Sequence, residues 1–149
     1  MTGYNVHERD IMKTTREIIT MNTQEKKQIV NITRLVEKVV GVSNIQEGLA
    51  LVYPMHTSSA VYISDSDWSL TQDLDDVLEK LIPALAGYRH DETDYKKNAD
   101  GHLKAILTGH HIILPITEGR LDLGTYQTVY YFEFDGGREK EVLVKIIGE

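Results

Sequence analysis

Apolar positions along this chain come in short blocks whose period changes from block to block. Met12 to Thr20, rich in Thr and Ile, reads as a strand, and residues 27–32 supply a second, shorter one. Leu35, Val36, Val39 and Val40 then recur at helical spacing as far as Gly41, with Asn31 or Thr33 available as the cap. Gly48 to Met55 is almost continuously apolar, the pattern of a strand buried on both faces, and Ala60 to Ile63 resumes it after a His-Thr-Ser-Ser interruption. Asp67 is a good N-cap for a helix whose apolar face is Trp68, Leu70, Leu74, Val77, Leu78 and Leu81, with Pro83 and Gly87 marking its end.

The second half is more polar. Tyr88 to Lys97 has no period and reads as a loop carrying more charge than solvation needs, and long loops of that kind are often functional. A short helix from Ala99 to Leu107 stops at Gly109, and His111 to Ile116 forms a strand closed by the turn Thr117-Glu118-Gly119-Arg120. Tyr126 to Phe134 alternates and ends in Asp135-Gly136-Gly137, a hairpin signal, with Glu141 to Ile147 as the returning strand. Strands adjacent in sequence with helices between them favour an α+β fold over a doubly wound sheet. Residues 12–149 are expected to form one domain, and residues 1–11 a flexible extension in which His7 is a surface residue.

Composition narrows the chemistry. The 149 residues suffice for a core without staples, and 41% hydrophobic with 26% charged residues is ordinary for a soluble protein. There is no cysteine, so disulfides and thiolate metal sites are excluded. A formal charge of −7 argues against nucleic acid as a partner. No apolar stretch approaches the roughly 20 residues of a membrane span, and residues 1–10 lack the apolar core of a signal peptide, so the expected compartment is the cytoplasm.

Three histidines sit in uncommon settings: His56 after an apolar strand, His90 among Arg89, Asp91, Glu92 and Asp94, and His102 in the first turn of a helix beside Asp100. They are expected to converge on one metal ion, although their intervals match no short zinc motif and three unrelated histidines is the competing reading. His110 and His111 point to opposite faces of a strand and are read as packing residues. Ser58 and Ser59 lack the strand-turn-helix setting of a nucleophile; Thr57, Ser58 and Ser59 suit hydrogen bonding to an anionic ligand instead. Lys104 and Arg120 are the cations expected to meet a phosphate, Gly124 would let backbone approach a ligand, and Thr125 and Gln127 could donate to it. Asp65, Asp67 and Glu118 are candidate acids, with helix capping sufficient to explain Asp67.

The segments His56-Thr57-Ser58-Ser59, Tyr88-Arg89-His90, Asn98 to Ala105, Gly119 to Gln127, Glu133 to Gly136 and Val144 to Glu149 occur in this order. Together they resemble the YjbQ-like family, often labelled secondary thiamine-phosphate synthase. The resemblance implies an α+β YjbQ-like fold, a β-sandwich with flanking helices, assembled as a homotrimer. It implies a pocket in which His56, His90 and His102 hold a divalent metal, zinc being expected. It also implies catalytic roles for Lys104, Arg120 and Asp65, and substrate contacts from Thr57, Ser58, Thr125, Tyr126 and Gln127.

Two departures accompany the resemblance. Asp65 and Trp68 stand where the family tends to have a longer acid and an acid, and Tyr126 stands where it has Trp. The implied reaction condenses hydroxymethylpyrimidine diphosphate with thiazole phosphate and releases pyrophosphate. Two other readings stay open: a metal-dependent hydrolase of a small phosphorylated or amide substrate, with Asp65 or Glu118 as base, and a non-catalytic module for an anion or metal.

Overall fold

Six times the backbone leaves one β-sheet and enters the other, and three of these crossings lie together at one end of the molecule. The computed structural model describes residues 11–149; residues 1–10, His7 included, lie outside the described residues. In chain order the elements are β1 (Lys13–Asn22), β2 (Gln28–Asn31), α1 (Thr33–Ser43), β3 (Gly48–Pro54), β4 (Ser59–Asp65) and α2 (Trp68–Leu81). They continue with α3 (Arg89–Thr93), α4 (Ala99–Thr108), β5 (Ile112–Thr117), β6 (Arg120–Leu121), β7 (Gln127–Glu133) and β8 (Glu139–Gly148). A five-stranded sheet has the order β1-β8-β3-β5-β6 and a three-stranded sheet the order β2-β7-β4, every pairing being antiparallel. The three crossings at that end are β1 to β2, β3 to β4 and β7 to β8.

The inner faces of the two sheets and the apolar stripe of α1 make the main core. Ala50 and Val52 of β3 and Val142, Val144 and Ile146 of β8 meet Val61, Val129 and Tyr131 of the smaller sheet, with Val36, Val39 and Val40 of α1 between them. The other face of the smaller sheet carries Ala60, Phe132 and Phe134, covered by Leu78 of α2 and Ala105 of α4. Each fully buried aromatic of β7 contributes about 2–3 kcal/mol of transfer free energy. This is an α+β sandwich with flanking helices, and no helix among the described residues is long and apolar enough to cross a membrane.

Four local expectations change. β3 is not buried on both faces: Ala50, Val52 and Pro54 face the core, while Leu49 and Tyr53 are exposed on the outer face of the larger sheet. The doubly buried strand is β7, which lies between the core and the helices. In α2 only Thr71 and Leu78 are buried, because the helix touches the smaller sheet along a narrow line and leaves Trp68, Val77 and Leu81 outside. The polar stretch Tyr88 to Lys97 contains the five-residue α3.

The fourth change concerns the Asp135-Gly136-Gly137 turn, which is a crossing and no hairpin. β7 pairs with β2 and β4, and β8 with β1 and β3. Local hydrogen bonds hold the turn against the β1–β2 loop: Gly136 N donates to Lys26 O at 2.8 Å, Gly137 N to Thr23 Oγ1 at 3.0 Å, and Thr23 N to Arg138 O at 3.1 Å. A Cβ on Gly136 would lie 2.3 Å from the Glu25 carbonyl oxygen, so the close approach requires glycine.

Candidate functional site

Above the crossings lies a cleft of about 540 Å³ whose walls include Thr57, Tyr88, Arg89, His90, His102 and Leu103. The β3–β4 crossing supplies Thr57, α3 and the residue before it supply Tyr88, Arg89 and His90, and the first turns of α4 supply His102 and Leu103. α4 comes close to the end of β7 at Gly101, where a Cβ would sit 3.3 Å from Phe134 Cβ. Asp91 Oδ1 accepts from Ala99 N at 3.0 Å and so ties α3 to the start of α4.

The rings of His90 and His102 meet edge to face, with centroids 5.0 Å apart and planes at 89°. His102 Nδ1 is 3.2 Å from Thr57 O. A carbonyl can only accept, so the proton is on Nδ1 and the Nε2 lone pair is open. His90 Nε2 lies 3.2 Å from Asp94 Oδ2 and 3.3 Å from Asn98 Oδ1, two acceptors that place its proton on Nε2 and leave Nδ1 open. Each imidazole therefore has one nitrogen held by an oxygen and one available, the arrangement that orients histidine toward a metal or an anion.

His56 does not join them. Its Nε2 accepts the backbone N–H of Glu141 at 2.9 Å, so its lone pair is occupied and its other nitrogen carries the proton. Burial, with Lys140 nearby, holds this imidazole below its ordinary range, which keeps it a neutral acceptor. The convergence of three histidines is thus corrected to two. Among the described residues no group of three or more His, Asp or Glu side chains is placed to hold a metal ion. Two open imidazole nitrogens with oriented partners fit the donor chemistry of zinc, but a closed site needs more ligands than these two.

Lys104 is also displaced from its expected role. It is 1% exposed and bonds Glu79 Oε1 at 2.6 Å and Asp100 Oδ2 at 2.9 Å, so both the cation and the Asp100 carboxylate serve the packing of α4 against α2. The residues in and around Gly119 to Gln127 are elsewhere again. Asp65 pairs with Gln127 at one end of β4, and Ser59 pairs with Glu133 at the other, a separation of roughly 20 Å along a strand. Asp65, Arg120, Thr125, Tyr126 and Gln127 therefore stand at the end of the sandwich away from the cleft. There Asp65 Oδ1 accepts from Asp67 N, and Gln127 Oε1 accepts from Gly124 N. Ser58 is buried, with its carbonyl accepting from Phe134 N at 3.0 Å, and the Ser59 hydroxyl is buried as well.

Several residues that periodicity and spacing do not single out build the site. Arg89 is exposed at the cleft and has no ion-pair partner among the described residues, which leaves its guanidinium open to an anion. Asn98 Nδ2 donates to Asp135 Oδ2 at 3.0 Å, which links α4 to the β7–β8 crossing. Burial would raise the Asp135 carboxyl, but the Asn98 hydrogen bond and Arg138 outweigh it and hold the group below the usual carboxylate range. Beneath it Lys140 Nζ and Glu133 Oε2 form a fully buried pair at 3.3 Å, and Tyr131 donates its hydroxyl to the same Glu133 oxygen at 2.6 Å. Burial, and that bond to the Glu133 carboxylate, push the Tyr131 hydroxyl well above its ordinary range.

Fold and cleft together define a two-sheet α+β protein with a histidine-lined pocket at the end where its sheets are joined. The chain belongs to the UPF0047 YjbQ-like family, whose pattern it matches over residues 17–149. It is 40% identical over 129 residues to a UPF0047 protein of Archaeoglobus fulgidus, covering 87% of this chain and 98% of that one. A UPF0047 protein of Methanothermobacter thermautotrophicus is 33% identical over 88% of this chain and 90% of its own. Among solved structures, a YjbQ-like protein of unknown function from Sulfolobus solfataricus superposes with a TM-score of 0.89 at 29% identity, covering 93% of this chain and all of that one.

Proposed function

We propose that the cleft binds a small phosphorylated substrate and that the protein is a metal-assisted transferase of the thiamine-phosphate synthase type. The observation that carries this reading is the His90–His102 pair, its two open ring nitrogens beside the unpaired Arg89. His90 Nδ1 and His102 Nε2 would hold a divalent metal, zinc by donor type, and it would supply Lewis-acid neutralisation of phosphoryl oxygens. In the reaction the thiazole nitrogen forms a bond to the pyrimidine methylene carbon, and the C–O bond to the diphosphate breaks with its electron pair leaving on oxygen. Arg89 pairs with the diphosphate and stabilises its departing charge. Thr57 and Tyr88 shape the pocket wall, and the Tyr88 hydroxyl, donating to Pro83 O at 2.9 Å, fixes that ring.

A cytoplasmic location goes with this reading, because both substrates are phosphorylated metabolites. Assembly as a homotrimer belongs to it too, and the uncovered face bearing Leu49, Tyr53, Ile113 and Ile147 is the surface that assembly would close. The hydrolase alternative loses its bases in this cleft: Asp65 is at the far end of β4, and Glu118 lies beyond Ile116, which pairs with the start of β3. Incubating zinc-supplemented protein with both substrates is expected to yield thiamine phosphate. No product above that of His102→Ala would overturn the assignment.

A further inference from the structure

We infer that Asp135, acting through Asn98 and alongside Asp94, fixes which ring nitrogen of His90 carries the proton. The consequence for catalysis rests on the reading of the cleft given above, but the proton position does not. Asp135 is a carboxylate and only accepts, so the Asn98 group 3.0 Å from it must be the Nδ2 amide donor. The Asn98 carbonyl is thereby turned the other way, onto His90 Nε2 at 3.3 Å. An oxygen there demands an N–H from the imidazole, which leaves Nδ1 with the lone pair.

Asn98 cannot choose its own orientation. Its amide oxygen and nitrogen are nearly the same size, so rotating the group by a half-turn changes donors into acceptors with little steric consequence. Turned over, it would present N–H to His90 Nε2 and drive the proton to Nδ1, closing the nitrogen a ligand needs. The Asp135 carboxylate blocks that turn, and its own place is fixed on every side. Its backbone N–H donates to Glu133 Oε1 at 3.0 Å, its carbonyl accepts from Lys140 Nζ at 3.2 Å, and its carboxylate also accepts from Arg138 Nη2 at 3.2 Å.

Asp94 holds the same tautomer from the solvent side: its Oδ2 is 3.2 Å from His90 Nε2, and its other oxygen accepts from Lys96 N. Asp135 is thus a positioning residue reached from the β7–β8 crossing, and the buried Lys140–Glu133 pair is its mount. Outer partners of this kind typically change metal affinity by about 10–100-fold when removed.

The test is the tautomer itself, read from ring-nitrogen chemical shifts of the histidines in ¹⁵N-labelled protein, with no substrate present. In the natural chain His90 is expected as the Nε2–H form. Asp94→Ala alone is expected to keep that form, held by Asn98; adding Asp135→Ala is expected to give averaged shifts for His90, and Asp135→Asn in its place to restore much of it, since its amide oxygen can still accept. His102, anchored separately by Thr57, is the internal control: its shifts stay put if the fold is intact. A zinc titration of Asp135→Ala should show affinity about tenfold weaker or worse. His90 found as Nδ1–H in the natural chain, or unmoved by Asp135→Ala in the Asp94→Ala background, would overturn the inference even if the enzyme proves active. A correct tautomer in an inactive protein would leave it standing and count against the proposed reaction alone.

Discussion

The imidazole of His56 accepts the backbone N–H of Glu141 at 2.9 Å across 85 residues of sequence, and so bolts the β3–β4 crossing to the start of β8. Only the neutral ring can do this. Because the folded protein holds His56 below the ordinary imidazole value of 6.5, the unfolded chain takes up the proton first as pH falls. The stability contributed is whole above pH 6.5 and is lost as pH drops through the folded value. Thermal denaturation between pH 5 and 7 should show this decline. His56→Gln, whose amide oxygen can accept the same bond without titrating, should give a flatter profile; an equally steep one would exclude His56 as its source.

Lys104 predicts a separation of stability from binding. Lys104→Met leaves Asp100 buried without its cation, while the more exposed Glu79 retains both water and Lys27. Breaking one partner of such a buried pair costs about 2–4 kcal/mol. Urea unfolding should show that loss, and phosphate-substrate affinity should stay within about twofold because Lys104 does not line the cleft.

For Arg89 the expectation is reversed. The side chain is exposed and unpaired among the described residues, so Arg89→Ala should move stability by no more than about 0.5 kcal/mol. Affinity for a diphosphate ligand should fall at least about tenfold, a difference near 1.4 kcal/mol. Urea unfolding checks the first statement and isothermal titration of the folded variant the second, and unchanged affinity would remove Arg89 from the ligand's contacts.

Gly136→Ala tests the crossing directly. Its Cβ would meet the Glu25 carbonyl at 2.3 Å and the Thr23 hydroxyl at 2.6 Å, so the backbone of two loops must shift. A loss of about 3 kcal/mol or more is expected, together with a lower melting temperature. Gly41→Ala, at a helical position with nothing within 4 Å of its Cβ, is the control and should be neutral or slightly stabilising.

Much of the fold is legible from local pattern, because burial acts on each strand or helix through its own period. Lys13–Asn22, Trp68–Leu81 and Ala99–Thr108 sit within a few residues of where alternation, capping and Gly109 place them. Sheet membership is not legible in this way. An Asp-Gly-Gly turn looks the same whether the next strand pairs back or crosses, and here the deciding contacts come from Thr23 and Lys26, more than a hundred residues earlier.

The site divides along the same line. His90 and His102 stand out as histidines beside carboxylates, one in a charged loop and one in the first turn of a helix, and the structure brings those two together. The direction of the His56 ring depends on a β8 amide, which no local pattern reports. The partner of Lys104 was readable, since Asp100 precedes it by one helical turn and the two share a face.

The sheet order has a consequence for synthesis. β1, the earliest of the described strands, pairs among the described residues only with β8, with Lys13 opposite Gly148 and Asn22 opposite Glu139, and β8 also fills the place between β1 and β3. On the ribosome, then, β1 has no described strand to bond until residues 139–148 have emerged, and the larger sheet closes in one late event that spans residues 13–148. Such long-range closure makes for slow folding, and it leaves any truncated translation product with an open strand edge that invites aggregation.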